Sequence, residues 1–198
     1  MSVTLFVWES KFSEGQVGHA SASVGSPSTY ISWWPEKEDT DPYSPSSPGL
    51  KMARISSDTR EENRPPDFAS APISGLDESA IIKFWNGMNA TTRDYGRGGK
   101  QAGPTELVPS GPRTTYNLYT NNCSTVVLKC LVAGGLYDVF PVTERLMSAA
   151  LIITPEDIRM LANVVTDFAG GDIRAFSYQD HLVRKVAGGF SSRVSVRA

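Results

Sequence analysis

The sequence predicts an α+β fold. Two features carry that reading: alternating apolar residues through the first 35 positions, and a compact apolar helix behind an Asn-Asn-Cys-Ser-Thr run at 121–125. Residues 3–9 set Val3, Leu5 and Val7 against Thr4, Phe6 and Trp8, a strand with large side chains on both faces. A Glu14-Gly15-Gln16 turn follows. Residues 17–24 alternate again, with Gly18, Ala20, Ala22 and Val24 on one face and Val17, His19, Ser21 and Ser23 on the other. Gly25-Ser26-Pro27-Ser28 reads as a turn, and Thr29–Trp34 as a third strand that Pro35 ends. The opening is therefore an antiparallel meander with His19 on its middle strand.

Between 36 and 72 the composition changes. Prolines at 42, 45, 48, 65, 66 and 72, with Pro35 at the border, stand among Ser, Asp and Glu. Such a stretch predicts a long loop insertion, either a plain surface loop or a lid over a site, with Met52–Ile55 as a short strand within it. Asp77-Glu78-Ser79 caps a helix through Ile81, Ile82, Phe84, Trp85 and Met88. Residues 95–103 and 109–112 read as loop, and the second helix runs 124–133 until Gly134-Gly135 stops it. Thr154-Pro155-Glu156-Asp157 opens a third helix with a stripe of Ile158, Leu161, Ala162 and Val165. Residues 154–198 form a C-terminal helical extension whose end, 170–198, is weakly patterned and carries Arg193 and Arg197.

Composition excludes several classes. A chain of 198 residues with 40% hydrophobic and 20% charged residues suits one globular domain. A net charge of −2 provides no field for nucleic acid or anionic lipid. No apolar run is long enough to span a membrane. The first residues lack the basic start and cleavage site of a signal peptide, which predicts synthesis in the cytoplasm, with export left to a dedicated secretion system. Cys123 and Cys130 are seven apart on one helix, so their Cα atoms are roughly 10 Å apart, beyond disulfide reach. Both are read as thiols. Two Cys and two His at these spacings form no zinc pattern, so no cofactor is expected.

Cys123 is the candidate nucleophile. At the first turn of a helix, free N–H groups and the dipole favour thiolate over thiol, and the same groups can hold an oxyanion. Asn121, Asn122, Ser124 and Thr125 are residues of caps and first turns, and Val126 begins the apolar helix. Cys130 sits mid-helix as a packing residue. Of the two histidines, His19 has small neighbours, Gly18, Ala20, Ser21 and Ala22, that leave room at the imidazole, whereas His181 lies in a polar patch near the end.

Gly18-His19-Ala-Ser-Ala-Ser-Val24-Gly25, then Tyr30-Ile-Ser32-Trp-Trp-Pro35, then Tyr116-x-Leu118-x-x-x-Asn122-Cys123, resembles the circularly permuted branch of the NlpC/P60 papain-like superfamily, which includes the lecithin:retinol acyltransferase-like enzymes. In that branch the histidine strand precedes the cysteine helix, as here. The match covers residues 15–35 and 114–135, about a fifth of the chain. The resemblance implies a permuted papain-like domain with Cys123 as nucleophile and His19 as base. The imidazole-orienting position falls on Ser32, where relatives carry His, Glu, Gln or Asn. A hydroxyl cannot stabilise an imidazolium as a carboxylate does, so Glu36, Asp39, a backbone carbonyl or a plain Cys–His dyad stay open as alternatives. Tyr116, Asn122 and Ser124 are the candidate substrate and oxyanion residues.

The expected activity is cleavage of an amide, in a peptide or a peptidoglycan stem peptide, through a thioester. Lipid acyl hydrolysis or transfer, glutamine deamidation of a host protein, and a non-catalytic binding module are the other readings. The resemblance also suggests a secreted antibacterial or host-directed toxin, with a cognate immunity protein as partner.

Overall fold

The computed structural model describes residues 2–11, 13, 16–36, 46–95 and 105–169. The Gly15 turn, Asp39, most of the 95–103 loop, His181 and the tail 170–198 lie outside the described residues.

The predicted meander forms β1 (Val3–Trp8), β2 (His19–Val24) and β3 (Thr29–Pro35). All neighbours in it are antiparallel, in register Leu5 opposite Ala22 and Ala22 opposite Ile31. The segment 36–72 departs from the loop expectation. Within it lie β4 (Ser46–Met52), α1 (Ile55–Glu61) and β5 (Phe68–Ala69). Met52 ends a strand and Ile55 begins a helix, so no strand spans 52–55. Pro48 and Gly49 hid β4, because neither favours a strand. Tertiary pairing holds it instead: β3 on one side, and on the other β6 (Thr91–Asp94) and β8 (Thr115–Asn117). A Cβ on Gly49 would lie 1.9 Å from the Trp33 ring, so the missing side chain is what lets the strand pass over the indole.

Helix α2 (Glu78–Gly87) precedes β6, and β7 (Thr105–Leu107) pairs with β6. The eight-stranded sheet runs β5-β1-β2-β3-β4-β6-β7, with β8 on β4, and only the β4–β6 pair is parallel. Helices α3 (Cys123–Ala133), α4 (Leu136–Val139), α5 (Val142–Ser148) and α6 (Pro155–Ala169) follow among the described residues, giving an α+β architecture with an open, mostly antiparallel sheet.

Side-chain alternation divides the sheet's work. Val3, Leu5, Val7, Ala20, Ala22, Val24, Ile31 and Trp33 form one face and bury against α2, α3 and α6 through Ile81, Val127, Leu131, Ile158 and Leu161. Fully burying each of these large apolar side chains contributes roughly 1.5–3 kcal/mol. The opposite face carries His19, Ser21, Tyr30, Ser32 and Trp34, and α1 covers it through Asp58. Caps set the helix starts. Asp77 accepts from the Ala80 N–H at 3.0 Å, and Thr154 and Asp157 exchange bonds at the head of α6. No helix among the described residues is long and apolar enough to cross a membrane.

Candidate active site

The β2–β3 ladder stops at the Ser21–Ser32 pair, two residues short of His19. The Ala20 N–H is therefore left unpaired on that side of the ladder, where it helps to lower the Cys123 thiol. Gly18 makes the approach to His19 feasible. Its φ is +78°, and a Cβ would sit 2.7 Å from the Trp8 carbonyl oxygen, so only glycine fits. Cys123 arrives from the helical side. Asn122 is the N-cap of α3, its side-chain oxygen accepting from Thr125 N–H at 2.8 Å, which leaves Cys123 at the first helical position.

There the thiol and the imidazole are close enough for each to stabilise the charged form of the other. His19 Nε2 faces away from sulfur, 3.1 Å from Asp58 Oδ2 and 3.1 Å from Ser32 Oγ, which leaves Nδ1 for the thiol. The Trp34 ring stacks on the imidazole with centroids 4.3 Å apart. Ser32 donates to Asp58 Oδ1 at 2.7 Å, Trp34 Nε1 donates to the same oxygen at 3.0 Å, and Tyr30 donates to Oδ2 at 2.5 Å. Ser32 thus meets His19, as the sequence predicted, but its proton goes to Asp58, so it serves the carboxylate while accepting from the imidazole.

Asp58 is the residue sequence reasoning missed. It lies inside the presumed loop, on a seven-residue helix whose buried positions are Ser57 and Asp58, so no apolar stripe announces it. Both ends of α1 are fastened. Arg54 pairs with Asp94 and Arg60 stacks over Tyr95, while Arg64 donates to the Glu9 carbonyl and accepts from Trp8 Nε1 through its own carbonyl. A buried aspartate is seldom stable without partners; this one has four donors.

Electrostatics follow from that packing. Burial alone would push Asp58 up, but the His19 charge and the bonds from His19, Tyr30 and Ser32 hold it below the usual carboxylate range. Burial would drive His19 down, yet Asp58 and then Cys123 push it up to about 10. Burial would raise the Cys123 thiol, but the His19 bond and charge, with Ala20 N–H and the Ser124 hydroxyl, bring it below the ordinary thiol range. All three shifts run towards the charged forms: thiolate, imidazolium and carboxylate.

The remaining predicted residues divide. Ser124 is fully buried with Oγ 3.7 Å from the Cys123 sulfur. Tyr116 on β8 is pushed above the usual phenol range by burial and then by the Cys123 charge, so it lies within electrostatic range of the thiol. Asn122 is a correction. Its side-chain amide donates to the Leu118 and Ile153 carbonyls at 2.9 and 3.0 Å, so that amide is not free for an oxyanion. Among the described residues the N–H groups of Cys123 and Ser124 have no acceptor, and these are the candidate oxyanion donors. Glu36 does not face His19; it takes bonds from Thr91 and Arg113. No family model, curated protein or solved structure matches this chain.

Proposed function

We propose that the chain is a cysteine hydrolase of permuted papain-like type that cleaves an amide through a thioester acyl-enzyme. One observation carries the reading: a thiol at the head of α3 stands within electrostatic reach of an imidazole whose far nitrogen is 3.1 Å from the buried carboxylate of Asp58. The order of histidine strand before cysteine helix supports the permuted assignment. Cys123 Sγ attacks the carbonyl carbon, the oxyanion is received by the Cys123 and Ser124 N–H groups, and His19 gives its proton to the leaving amine. Water, deprotonated by the now neutral His19, attacks the thioester, and the thiolate leaves. Asp58 holds the ring throughout and stabilises the imidazolium.

A second reading, hydrolysis or transfer of a lipid acyl group, is favoured by the apolar surroundings. Tyr119 and Ile152 are exposed next to Leu118 and Ile153, whose carbonyls the Asn122 amide joins beside Cys123, and Val17 is exposed two residues before His19. Intact-mass analysis separates the two. Incubation with peptidoglycan, phospholipid and cell lysate in parallel is expected to yield an acyl adduct on Cys123 in one arm and none in Cys123→Ala. Product formation that persists in Cys123→Ala overturns the hydrolase reading. A secreted toxin with an immunity partner is the biological setting proposed, and growth arrest that survives Cys123→Ala counts against it.

A further inference from the structure

The two oxygens of Asp58 are served differently. Oδ1 is held by Ser32 and Trp34, both on β3, at 2.7 and 3.0 Å. Oδ2 is the oxygen that faces the imidazole, and the second donor on it is Tyr30, at 2.5 Å. Tyr30, Ser32 and Trp34 are alternate residues of one strand, so a single strand face presents three donors to one carboxylate. The Tyr30 oxygen is itself 2.7 Å from Ser21 Oγ, on the strand that begins with His19. Its ring packs beside Phe6, with centroids 6.5 Å apart, and borders a cavity of about 520 Å³ shared with Ser23, Ser28 and Arg54.

We propose that Tyr30 is a positioning residue that keeps Asp58 ionised and aimed at His19; this rests on the hydrolase reading of the site. With two donors on each oxygen, a proton can reach the carboxylate only by displacing one of them. Loss of the Tyr30 hydroxyl opens a place on Oδ2, and the carboxyl then protonates at higher pH. A neutral Asp58 no longer supports the imidazolium, which then no longer supports the thiolate. The titratable groups facing Asp58 are His19 and Tyr30, with Glu62 next along the chain from α1 and Arg64 and Asp67 beyond it. Tyr30 itself stays protonated, because burial and then the Asp58 charge push it above the ordinary phenol range.

The test needs no substrate. The rate of Cys123 alkylation by iodoacetamide is followed against pH in the full chain, with the modified residue mapped by mass. Tyr30→Phe is expected to move the acidic limb of that profile up by about one pH unit, the scale of one hydrogen bond to a charged group. Incorporation of 3-fluorotyrosine at position 30, a more acidic donor of nearly the same shape, is expected to move it down. Phe6→Leu, which alters the packing of the Tyr30 ring and none of its hydrogen bonds, is expected to leave it in place. A limb that stays put in both Tyr30 variants while the wild type reacts well into acid overturns the role of Tyr30 alone. A wild-type Cys123 that alkylates like an ordinary cysteine overturns the hydrolase reading and this role with it. Should Tyr30→Phe fail to fold, the fluorotyrosine protein decides, because a purely structural tyrosine gives no shift of opposite sign.

Discussion

Cys123 and Cys130 lie on one helix and are nearly excluded from solvent, at 7% and 1% exposure, yet their thiols are driven in opposite directions. Burial pushes Cys130 up to about 12, with Lys51 pulling weakly the other way. The same burial acts on Cys123 and loses, because His19, the Ala20 N–H and the Ser124 hydroxyl all stabilise its anion. Lys51 cannot play the part of His19. Its ammonium is tied to the Trp85 carbonyl at 2.8 Å and to the Trp85 ring, and burial lowers it to about 8. Seven positions along a helix thus separate a thiol drawn towards its anion from one that burial pushes the other way. The difference lies in what the neighbouring strand offers: an open ladder at Ala20 on one side, closed apolar packing on the other.

The largest expected difference is in reactivity. At pH 6 iodoacetamide should modify Cys123 about 100-fold faster than Cys130 or more, even after allowing for the weaker nucleophilicity of a more acidic thiol. Equal rates by mass mapping would remove the contrast. Asp58→Asn keeps the shape and removes the charge behind the imidazole, so kcat on whichever substrate is found should fall about ten- to hundredfold with Cys123 still alkylatable. An unchanged kcat would leave the site a plain Cys–His dyad.

The smallest effect is on stability against pH. His19 loses its proton near 6.5 when unfolded and near 10 when folded, so its contribution is whole below 6.5 and fades as pH rises through 10. Cys123 works the other way: its contribution is whole above the ordinary thiol value of 9.0 and fades as pH falls towards its lowered folded value. Between these two unfolded values the two contributions change in opposite directions with pH, so Tm should vary less than either group alone would make it. In Cys123→Ala only the histidine contribution remains, so Tm should decline from pH 6.5 upward. A flat profile in that variant would mean that Asp58 alone does not hold the His19 proton.

Much of this contrast was legible in the residues. Alternation marked β1, β2 and β3, and the Asn122-Cys123-Ser124-Thr125 run placed the thiol at a helix start, because caps and strand faces are local signals. The third member of the site was not legible. Ser32 stands at the orienting position and does touch His19, but the charge comes from Asp58, 26 residues further on, in a segment whose prolines and serines read as loop. A seven-residue helix that buries Ser57 and Asp58 has no periodic apolar signal and forms only because pairs at its two ends fasten it.

The sequence by itself determined the meander, the helix behind Cys123 and the choice of candidate thiol and imidazole, since each depends on residues within a few positions of one another. The tertiary structure decided what surrounds the thiol and the imidazole, and that a carboxylate stands behind the imidazole. The contacts that shift these groups reach across 39 to 104 positions of chain, from His19–Asp58 to His19–Cys123. Charge in a buried site depends on what surrounds it in space, and no periodicity along the chain records that.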